Sequence, residues 1–413
     1  REQFSPSRGG KLTKGYCTVK QNTVNDTKKL KLSDGGRRRH PGRTIATSAL
    51  MASLIMAPLA ACSSSDNSTS ASGGNEGGNS GPVTVKNCGK DATYPSTAKH
   101  MYVNDGKMIA TTLAVGAADN IANVSSLQDD KAILEAKYGK DVVDKLKVDA
   151  PDSPSLERII ATKPDLVFAG WNYGFSESKN LTPDALKDHG IESYILSESC
   201  RQGGSDKRGT MDPWDAAKTD LTNIGKLTGH DDKANDVVKD VDKRLDALKQ
   251  APAAGGSDNA EGSGKPPVTF VFDCAKDTIF TSGKFGGPQA IIEAAGGKND
   301  TDDVDDTWTT VGWEKIASAQ PDVIAFVDYP SQTFEEKVKI LESNPATKNL
   351  EAVKQKRYVN LPYAMWTSGP LNIDAAEYMR KAYEKFGLMP KSDIHTDVQL
   401  PDSLAGREYF VEK

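Results

Sequence analysis

The stretch Glu157–Val167, which reads ERIIATKPDLV, decides the fold because it recurs in the second half of the chain. Its counterpart, Glu314–Ile324, reads EKIASAQPDVI. Each stretch predicts a short helix, a Pro-Asp turn and a buried apolar strand. Helices that alternate with apolar strands are typical of parallel α/β sheets. The repeat therefore predicts two lobes of similar construction.

A helical stretch lies between the two halves. Apolar residues recur at helical spacing from Trp214 to Leu227 and again from Val237 to Leu248. We therefore expect an α/β protein of two lobes with mainly parallel sheets, joined by a single long helix. Ligands of open α/β sheets bind at the carboxyl ends of the strands, so the ligand cleft is expected between the lobes.

Composition divides the chain into predicted segments. They are a polar N-terminal extension (1–36), a lipoprotein signal peptide (37–61), a flexible tether (62–82), the N-terminal lobe (83–213), a connecting helical segment (214–250), a surface loop (251–267) and the C-terminal lobe with its tail (268–413). We expect residues 1–36 to include untranslated sequence, because a signal normally begins at the start of a protein.

The signal peptide is predicted from a basic cluster, Arg37–Arg39, followed by the apolar run Ile45–Ala60. The run is shorter than the roughly 20 apolar residues of a membrane span. It ends in Leu-Ala-Ala before Cys62, a pattern typical of bacterial lipoprotein signals. We expect Cys62 to become the lipidated first residue of a protein anchored on the extracytoplasmic face of the cell membrane. The Ser/Gly-rich tether would hold the folded domain away from the lipid.

Composition and missing motifs argue against several other functions. A net charge of −5 argues against a nucleic-acid surface, which would need a clustered basic excess. The cysteines and histidines have no zinc-site spacing. An exported metal-dependent hydrolase is the alternative of a different class, but the sequence lacks a Gly-x-Ser-x-Gly, HExxH or Walker motif. We expect a monomeric binding protein with no enzyme activity, cofactor or metal site.

Further motifs carry a resemblance to a known family. Leu156–Val167 resembles a first-lobe signature, and Phe280–Lys284 with Ile292–Asn299 resembles a second-lobe signature. Trp313-Glu314, followed by Pro-Asp-Val-Ile, resembles the next element. Together they resemble the substrate-binding proteins of importers for ferric siderophores, cobalamin and haem. The resemblance covers about Val83 to Leu388 and implies an ABC permease with its ATPase as partners.

The resemblance leaves the ligand open among a ferric siderophore, cobalamin, haem and a deazaflavin coenzyme precursor. Haem iron requires a protein ligand such as His or Tyr, and no histidine lies clearly at a strand exit. Tyr173, Tyr329 or Tyr363 could supply a phenol. An iron-siderophore or a similar large metal chelate is preferred, because the siderophore itself fills the iron's coordination sphere.

The resemblance also implies a docking surface for the permease. In this family an acidic residue on each lobe pairs with arginines of the permease, and the matching positions here are Glu157 and Glu293. Carboxylate–arginine pairs provide orientation as well as attraction. The alternative for Glu157 is a first-turn glutamate that the helix dipole favours, since Glu314 has the same local context. The sequence departs from the family in the acidic run Asp300–Asp306, which we expect to be a solvated loop.

Ligand contacts are expected in the loops that follow the predicted strands. Aromatic walls suit a large, flat or apolar ligand, and basic groups suit an anionic one. The alternative is that many of these aromatic residues pack the lobes. The candidate ligand-binding residues are Lys107, Trp171, Tyr173, Arg201, Phe285, Trp308, Tyr329, Tyr363 and Trp366, with Asn104, Asp105, Asn172, Glu198 and Asp273 as polar neighbours.

The cysteines predict one disulfide. An exported protein meets oxidising conditions, where thiols tend to pair. With Cys17 removed and Cys62 lipidated, three cysteines would remain. A bridge from Cys274 to either of the others would tie the lobes together and hinder ligand entry. We therefore expect a Cys88–Cys200 disulfide and a free Cys274.

Overall fold

The computed structural model describes residues 81–255 and 264–412. The predicted N-terminal extension, signal peptide and lipidated Cys62 lie outside the described residues. The described part begins with an antiparallel hairpin. The strands up to the connecting segment are β1 (Val83–Asn87), β2 (Lys90–Tyr94), β3 (Met101–Asn104), β4 (Ile121–Ser125), β5 (Val148–Ala150), β6 (Leu166–Trp171), β7 (Gly174–Phe175) and β8 (Glu192–Ile195).

The N-terminal lobe is built on a parallel sheet. Its strand order is β5-β4-β3-β6, and both β7 and β8 pair with β6. Every pairing in this sheet is parallel, so the carboxyl ends of the strands meet at one edge. The helices of this lobe are α1 (Gly106–Ala114), α2 (Lys131–Tyr138), α3 (Lys140–Val143), α4 (Leu156–Thr162) and α5 (Pro183–Lys187).

The connecting segment is helical, as expected, but it is divided into two helices. These are α6 (Pro213–Thr228) and α7 (Asp231–Gln250). The Asp212 carboxylate accepts hydrogen bonds from the first-turn N–H groups of α6. Gly229 ends that helix with a φ of 78°, a left-handed conformation that glycine adopts without steric cost. This glycine therefore turns the chain between the two helices.

The C-terminal lobe contains a parallel sheet and a smaller antiparallel one. The parallel sheet has the order β12-β9-β14-β15, and the antiparallel sheet has the order β10-β11-β13. The strands are β9 (Val268–Phe272), β10 (Cys274–Ala275), β11 (Ile279–Ser282), β12 (Lys298–Asn299), β13 (Trp308–Val311), β14 (Val323–Asp328) and β15 (Tyr358–Pro362). The helices are α8 (Gly287–Ala294), α9 (Trp313–Ala319), α10 (Phe334–Ser343), α11 (Glu351–Lys354), α12 (Tyr363–Trp366), α13 (Asn372–Lys385) and α14 (Arg407–Phe410).

The repeated Pro-Asp unit has the same construction in both lobes. Helix α4 leads into β6, and α9 leads into β14. The Asp165 carboxylate accepts the backbone N–H groups of Lys99 at 2.6 Å and His100 at 3.0 Å, just before β3. The Asp322 carboxylate accepts the N–H of Val268 at 2.8 Å, at the start of β9. In each lobe the repeated aspartate thus anchors the neighbouring strand, which gives the repeat a structural reason.

The C-terminal sheet is covered on both faces. Ile324 and Phe326 of β14 pack in one hydrophobic cluster, whereas Val323, Ala325 and Val327 pack in another. A strand buried on both faces needs apolar side chains at nearly every position. This explains the continuous apolar run that predicted the strand. None of the helices in 81–255 and 264–412 is both long and apolar enough to cross a membrane.

Candidate ligand-binding site

The junction between the lobes is organised around the Lys107 ammonium. Asp105 follows β3, and its carboxylate accepts the N–H of Gly106 at the start of α1. The buried Lys107 Nζ lies 3.1 Å from the centroid of the Tyr173 ring. It also lies 3.3 Å from Oη of Tyr363 and 3.5 Å from a carboxylate oxygen of Asp105. Since Tyr363 belongs to the C-terminal lobe, this charge connects the two lobes.

Glu198 makes a second connection across the junction. One oxygen of its buried carboxylate accepts the indole N–H of Trp308 at 3.2 Å, and the other accepts the backbone N–H of Ser368 at 3.2 Å. Arg208 donates from Nη2 to the Trp308 carbonyl at 3.3 Å, and its backbone N–H donates to Asp306 at 3.1 Å. The indole of Trp308 is therefore held by a carboxylate, and its backbone by an arginine, from the opposite lobe.

Two tyrosines and two more carboxylates complete the group. The rings of Tyr329 and Tyr363 meet edge to face, with centroids 6.3 Å apart. Tyr329 donates its hydroxyl to Asp273. Asp130 accepts the N–H of Ala364 at 2.8 Å, again from the N-terminal to the C-terminal lobe. The junction thus combines aromatic faces with charges of both signs.

Burial controls the protonation of the tyrosine at the centre. Desolvation raises the pKa of Tyr173 well above its ordinary value, and the negative charge of Glu198 adds to the increase. The Arg208 guanidinium, 5.6 Å from the ring centroid, acts in the opposite direction. Tyr173 is therefore a neutral phenol that offers a ring face and a hydroxyl.

The structure brings five of the nine candidate ligand-binding residues to this junction: Lys107, Tyr173, Trp308, Tyr329 and Tyr363. Asn104 supports the arrangement, since its amide donates to the Tyr173 carbonyl at 2.9 Å. Phe285 also meets the opposite lobe, where it packs against Gly209. A β-carbon on Gly209 would lie only 2.1 Å from Cβ of Phe285, so glycine is required there.

Three candidates lie elsewhere. Trp366 is fully buried inside the C-terminal lobe, where its indole N–H donates to the Phe326 carbonyl at 2.8 Å. Trp171 packs under the Arg201 guanidinium, which lies 3.7 Å from the ring centroid and forms an ion pair with Glu177. Trp171 and Arg201 border a separate outer pocket of about 710 Å³ beside the β1–β2 hairpin.

Sequence reasoning missed Arg208, Asp129 and Asp130. The two aspartates were detectable, because they lie in the loop that follows β4, and the strand-exit rule applies to that loop. Arg208 had no such signal. It lies in a loop that bridges back to Arg201, so only the folded chain shows that it reaches Trp308.

The structure contains the Cys88–Cys200 disulfide, with the Cα atoms 5.3 Å apart. Cys274 is also a disulfide cysteine, so the expectation of a free Cys274 is wrong. That expectation assumed that only three thiols remain. The count left out Cys17 and Cys62, both of which lie outside the described residues.

The two predicted docking residues are exposed, one in each lobe. Glu157 lies in the first turn of α4, where hydrogen bonds from its own backbone N–H and from Ser155 lower its pKa. Glu293 lies near the end of α8 and accepts the Gln289 amide at 2.7 Å. Partial desolvation raises the pKa of Glu293.

The acidic run in the C-terminal lobe is largely paired with lysines. Lys298 lies 3.5 Å from Asp302, Lys315 lies 3.0 Å from Asp303, and Lys284 lies 2.5 Å from Asp305. Surface pairs of this kind neutralise a loop without building a coordination site. Within the described residues, no group of three or more His, Cys, Asp or Glu side chains is arranged to hold a metal ion.

Comparison with known proteins agrees with this architecture. The chain belongs to the periplasmic binding protein family, which matches residues 104–364. It is 26% identical over 355 residues to the "Probable siderophore-binding lipoprotein YfiY" of Bacillus subtilis, covering 83% of this chain and 97% of that protein. It is 26% identical over 214 residues to the "Vitamin B12-binding protein" of Vibrio parahaemolyticus, covering 51% of this chain and 64% of that protein.

A solved structure shows the same fold. A periplasmic binding protein from Veillonella parvula superposes with a TM-score of 0.59 at 21% identity, covering 76% of this chain and all of that one. The predicted α/β fold of two lobes and the predicted family are therefore confirmed. The chain is a substrate-binding protein of the ABC-importer class and not an enzyme.

Proposed function

We propose that this protein captures a ferric siderophore outside the cytoplasm and delivers it to an ABC permease. The observation that carries the proposal is the alignment with the siderophore-binding lipoprotein of Bacillus subtilis, which extends over 97% of that protein. The lobe junction supports the proposal with its own chemistry. Ferric siderophores present a compact core of oxygen donors, which suits cations and phenol hydroxyls close to aromatic faces.

Lys107 and Arg208 are the groups that we assign to the oxygen-rich core of the chelate. Both are buried beside the ring of Tyr173, whose centroid lies 3.1 Å from Lys107 Nζ and 5.6 Å from the Arg208 guanidinium carbon. An ammonium and a guanidinium in a site shielded from water interact more strongly with anionic oxygens than they do at a surface. Trp308, Tyr329 and Tyr363 supply the apolar walls.

Coordination of haem by Tyr173 is a weaker alternative for a physical reason. A tyrosine binds haem iron as the phenolate, and the pKa of Tyr173 is raised by burial and by Glu198. That environment opposes loss of the phenol proton. Cobalamin remains an alternative because of the alignment with the vitamin B12-binding protein, and a deazaflavin coenzyme precursor is a further one.

We assign delivery of the ligand to the permease to two features, the pair of exposed glutamates and the predicted membrane anchor. We assign Glu157 and Glu293, one on each lobe, to permease arginines, because paired carboxylates on both lobes would set the orientation of docking. Lipidation at Cys62 would keep the protein at the membrane, and the tether (62–82) would let it reach the permease. The protein acts as a monomer in this proposal.

The test is a fluorescence titration with a panel of four compounds: a ferric trihydroxamate, a ferric tricatecholate, haem and cyanocobalamin. We expect saturable quenching by at least one ferric siderophore at micromolar or lower concentration. Charge-assisted hydrogen bonds contribute about 1.5–3 kcal/mol, so Lys107→Met should weaken binding about 10- to 100-fold. The matched control is Lys187→Met, beside the outer pocket, which should bind normally. Binding of haem or cobalamin without either ferric siderophore would refute the proposal.

A further inference from the structure

A small acidic pocket lies at the lobe junction beside the residues described above. Its volume is about 10 Å³, close to the space that one water-sized group needs. The pocket therefore admits a single small polar group. It is lined by Asp105, Ser126, Asp129, Asp130, Tyr329 and Tyr363.

Protein cations within the described residues balance only part of the negative charge of this pocket. Asp105 lies 3.5 Å from Lys107 Nζ. Within 81–255 and 264–412, neither Asp129 nor Asp130 has an ion-pair partner. Asp130 is only 1% exposed, and while one oxygen accepts the Ala364 N–H, the other has no hydrogen-bond partner. A buried, unsatisfied carboxylate oxygen is costly unless something binds to it.

A hydroxyl in the same pocket provides an independent observation. Ser126 is 7% exposed, and its Oγ has no hydrogen-bond partner among the described residues. Its backbone has a φ of 54°, a conformation uncommon for serine. Two residues that line this cavity thus carry unsatisfied polar atoms, a serine hydroxyl and a carboxylate oxygen, and this combination suits a small donor of several hydrogen bonds.

The titration of the aspartates agrees with this geometry. Burial raises the pKa of Asp129 to about 6, and the charges of Asp105, Asp152 and Asp328 contribute. Burial also raises the pKa of Asp130, with Asp105 adding to the effect. Burial is the main cause of both shifts and repulsion between the carboxylates adds to it, while the Lys107 charge opposes the shift of Asp130. A bound cation would lower both pKa values and stabilise the ionised carboxylates.

We propose that this pocket binds a protonated primary amine carried by the ligand. An ammonium is about the size of water, donates three hydrogen bonds and is attracted to aromatic faces such as those of Tyr329 and Tyr363. The inference rests on the proposed siderophore function and narrows the substrate class. The substrate is a ferric chelate with two parts: an oxygen-rich core near Lys107 and Arg208, and an arm that ends in a cationic amine.

The experiment compares two probes that differ only in this charge. Ferrioxamine B is a ferric trihydroxamate with a free terminal amine, and its N-acetyl derivative has a neutral amide there. Charge-assisted hydrogen bonds to a shielded carboxylate predict that the wild-type protein binds the amine form about 10- to 100-fold more tightly. Asp129→Asn should reduce this preference to about twofold or less by removing the charge.

Two further variants make the result interpretable. Asp232→Asn, on the exposed first turn of α7, should keep the wild-type preference. If Asp129→Asn does not fold by circular dichroism, Ser126→Ala serves as the second variant and should also reduce the preference. Equal affinity of the wild-type protein for the two probes, or an unchanged preference in the pocket variant, would overturn the amine pocket alone. If the wild-type protein binds no ferric chelate at all, including these two probes, the proposed siderophore function is overturned as well.

Discussion

Replacement of Arg244 by alanine should destabilise the protein far more than loss of an ordinary surface ion pair. Arg244 lies on α7 of the connecting segment. It donates to both carboxylate oxygens of Glu377, at 2.8 and 2.6 Å, and to Asp374 at 2.7 Å, both on α13. Lys137 on α2 also pairs with Asp374, at 2.9 Å. This network thus joins the connecting segment to helices from both lobes.

The magnitude follows from how little of the network is exposed to water. The exposed fractions of the side chains are 11% for Arg244, 7% for Glu377 and 0% for Asp374. Removing one partner of a buried pair leaves an uncompensated charge and costs about 3–5 kcal/mol. Because Lys137 still pairs with Asp374, we expect a loss near the lower limit, about 3 kcal/mol.

The loss should also depend on pH. Burial raises the pKa of Glu377, and Arg244 limits the increase. Without Arg244 the folded-state pKa rises further, so the folded variant binds a proton more readily than the unfolded chain does. The Glu377 carboxyl of the variant then contributes stability that is fully present at low pH and is lost as the pH rises through its folded-state pKa. The deficit of the variant should therefore be smaller at pH 5 than at pH 8.

Urea unfolding at the two pH values, monitored by circular dichroism, measures the deficit. Arg158→Ala is the matched control, because Arg158 pairs with Asp149 at 3.0 Å but its side chain is 55% exposed. Such a surface pair contributes about 0.2–1 kcal/mol. Adding Glu377→Gln to Arg244→Ala should recover part of the loss by removing the orphaned charge. The reasoning is refuted if Arg244→Ala loses no more free energy of unfolding than Arg158→Ala does at either pH.

The remaining predictions concern docking, anchoring and the disulfide. Reversing the charge of both Glu157 and Glu293 should abolish uptake of the ligand in cells while leaving its affinity in solution unchanged; wild-type uptake by the double variant would remove their docking role. Cys62→Ser should release the protein from the membrane fraction or block its processing, and a variant that is still anchored and cleaved would argue against lipidation. The Cys88–Cys200 bridge spans a sequence separation of 112 residues. In the chain-entropy model, its removal by paired serine substitutions should lower the free energy of unfolding in urea by about 4–5 kcal/mol. A loss below about 1 kcal/mol would show that the bridge does not constrain the unfolded chain as that model assumes.

The sequence by itself determined the architecture. The repeated Pro-Asp unit predicted a helix and a buried strand in each lobe, and β6 and β14 start directly after the two Pro-Asp turns, at Leu166 and Val323. Local patterning suffices here because both strands are buried on two faces, which requires long apolar runs. Strand-exit reasoning also placed Lys107 and Tyr173 together, since parallel strands deliver their exit loops to one edge of the sheet.

Only the tertiary structure decided which of the predicted aromatic residues reach the junction. Trp308 meets Glu198 across the lobes, whereas Trp366 turns into the core and donates to Phe326. The sequence around each tryptophan contains no signal for this difference. A covered strand or short helix has apolar surroundings on every side, so the direction of one side chain depends on the packing of distant elements.

The burial of the acidic pocket and the pairing within the Arg244 network were beyond sequence reasoning for the same physical reason. Asp130 and Ala364 are 234 positions apart, and Arg244 and Glu377 are 133 apart, yet each pair is hydrogen-bonded. Charge along the chain predicts exposure for such residues, because a carboxylate is stable in water. Whether it is buried, and whether a cation reaches it, is decided only when the two lobes pack against each other.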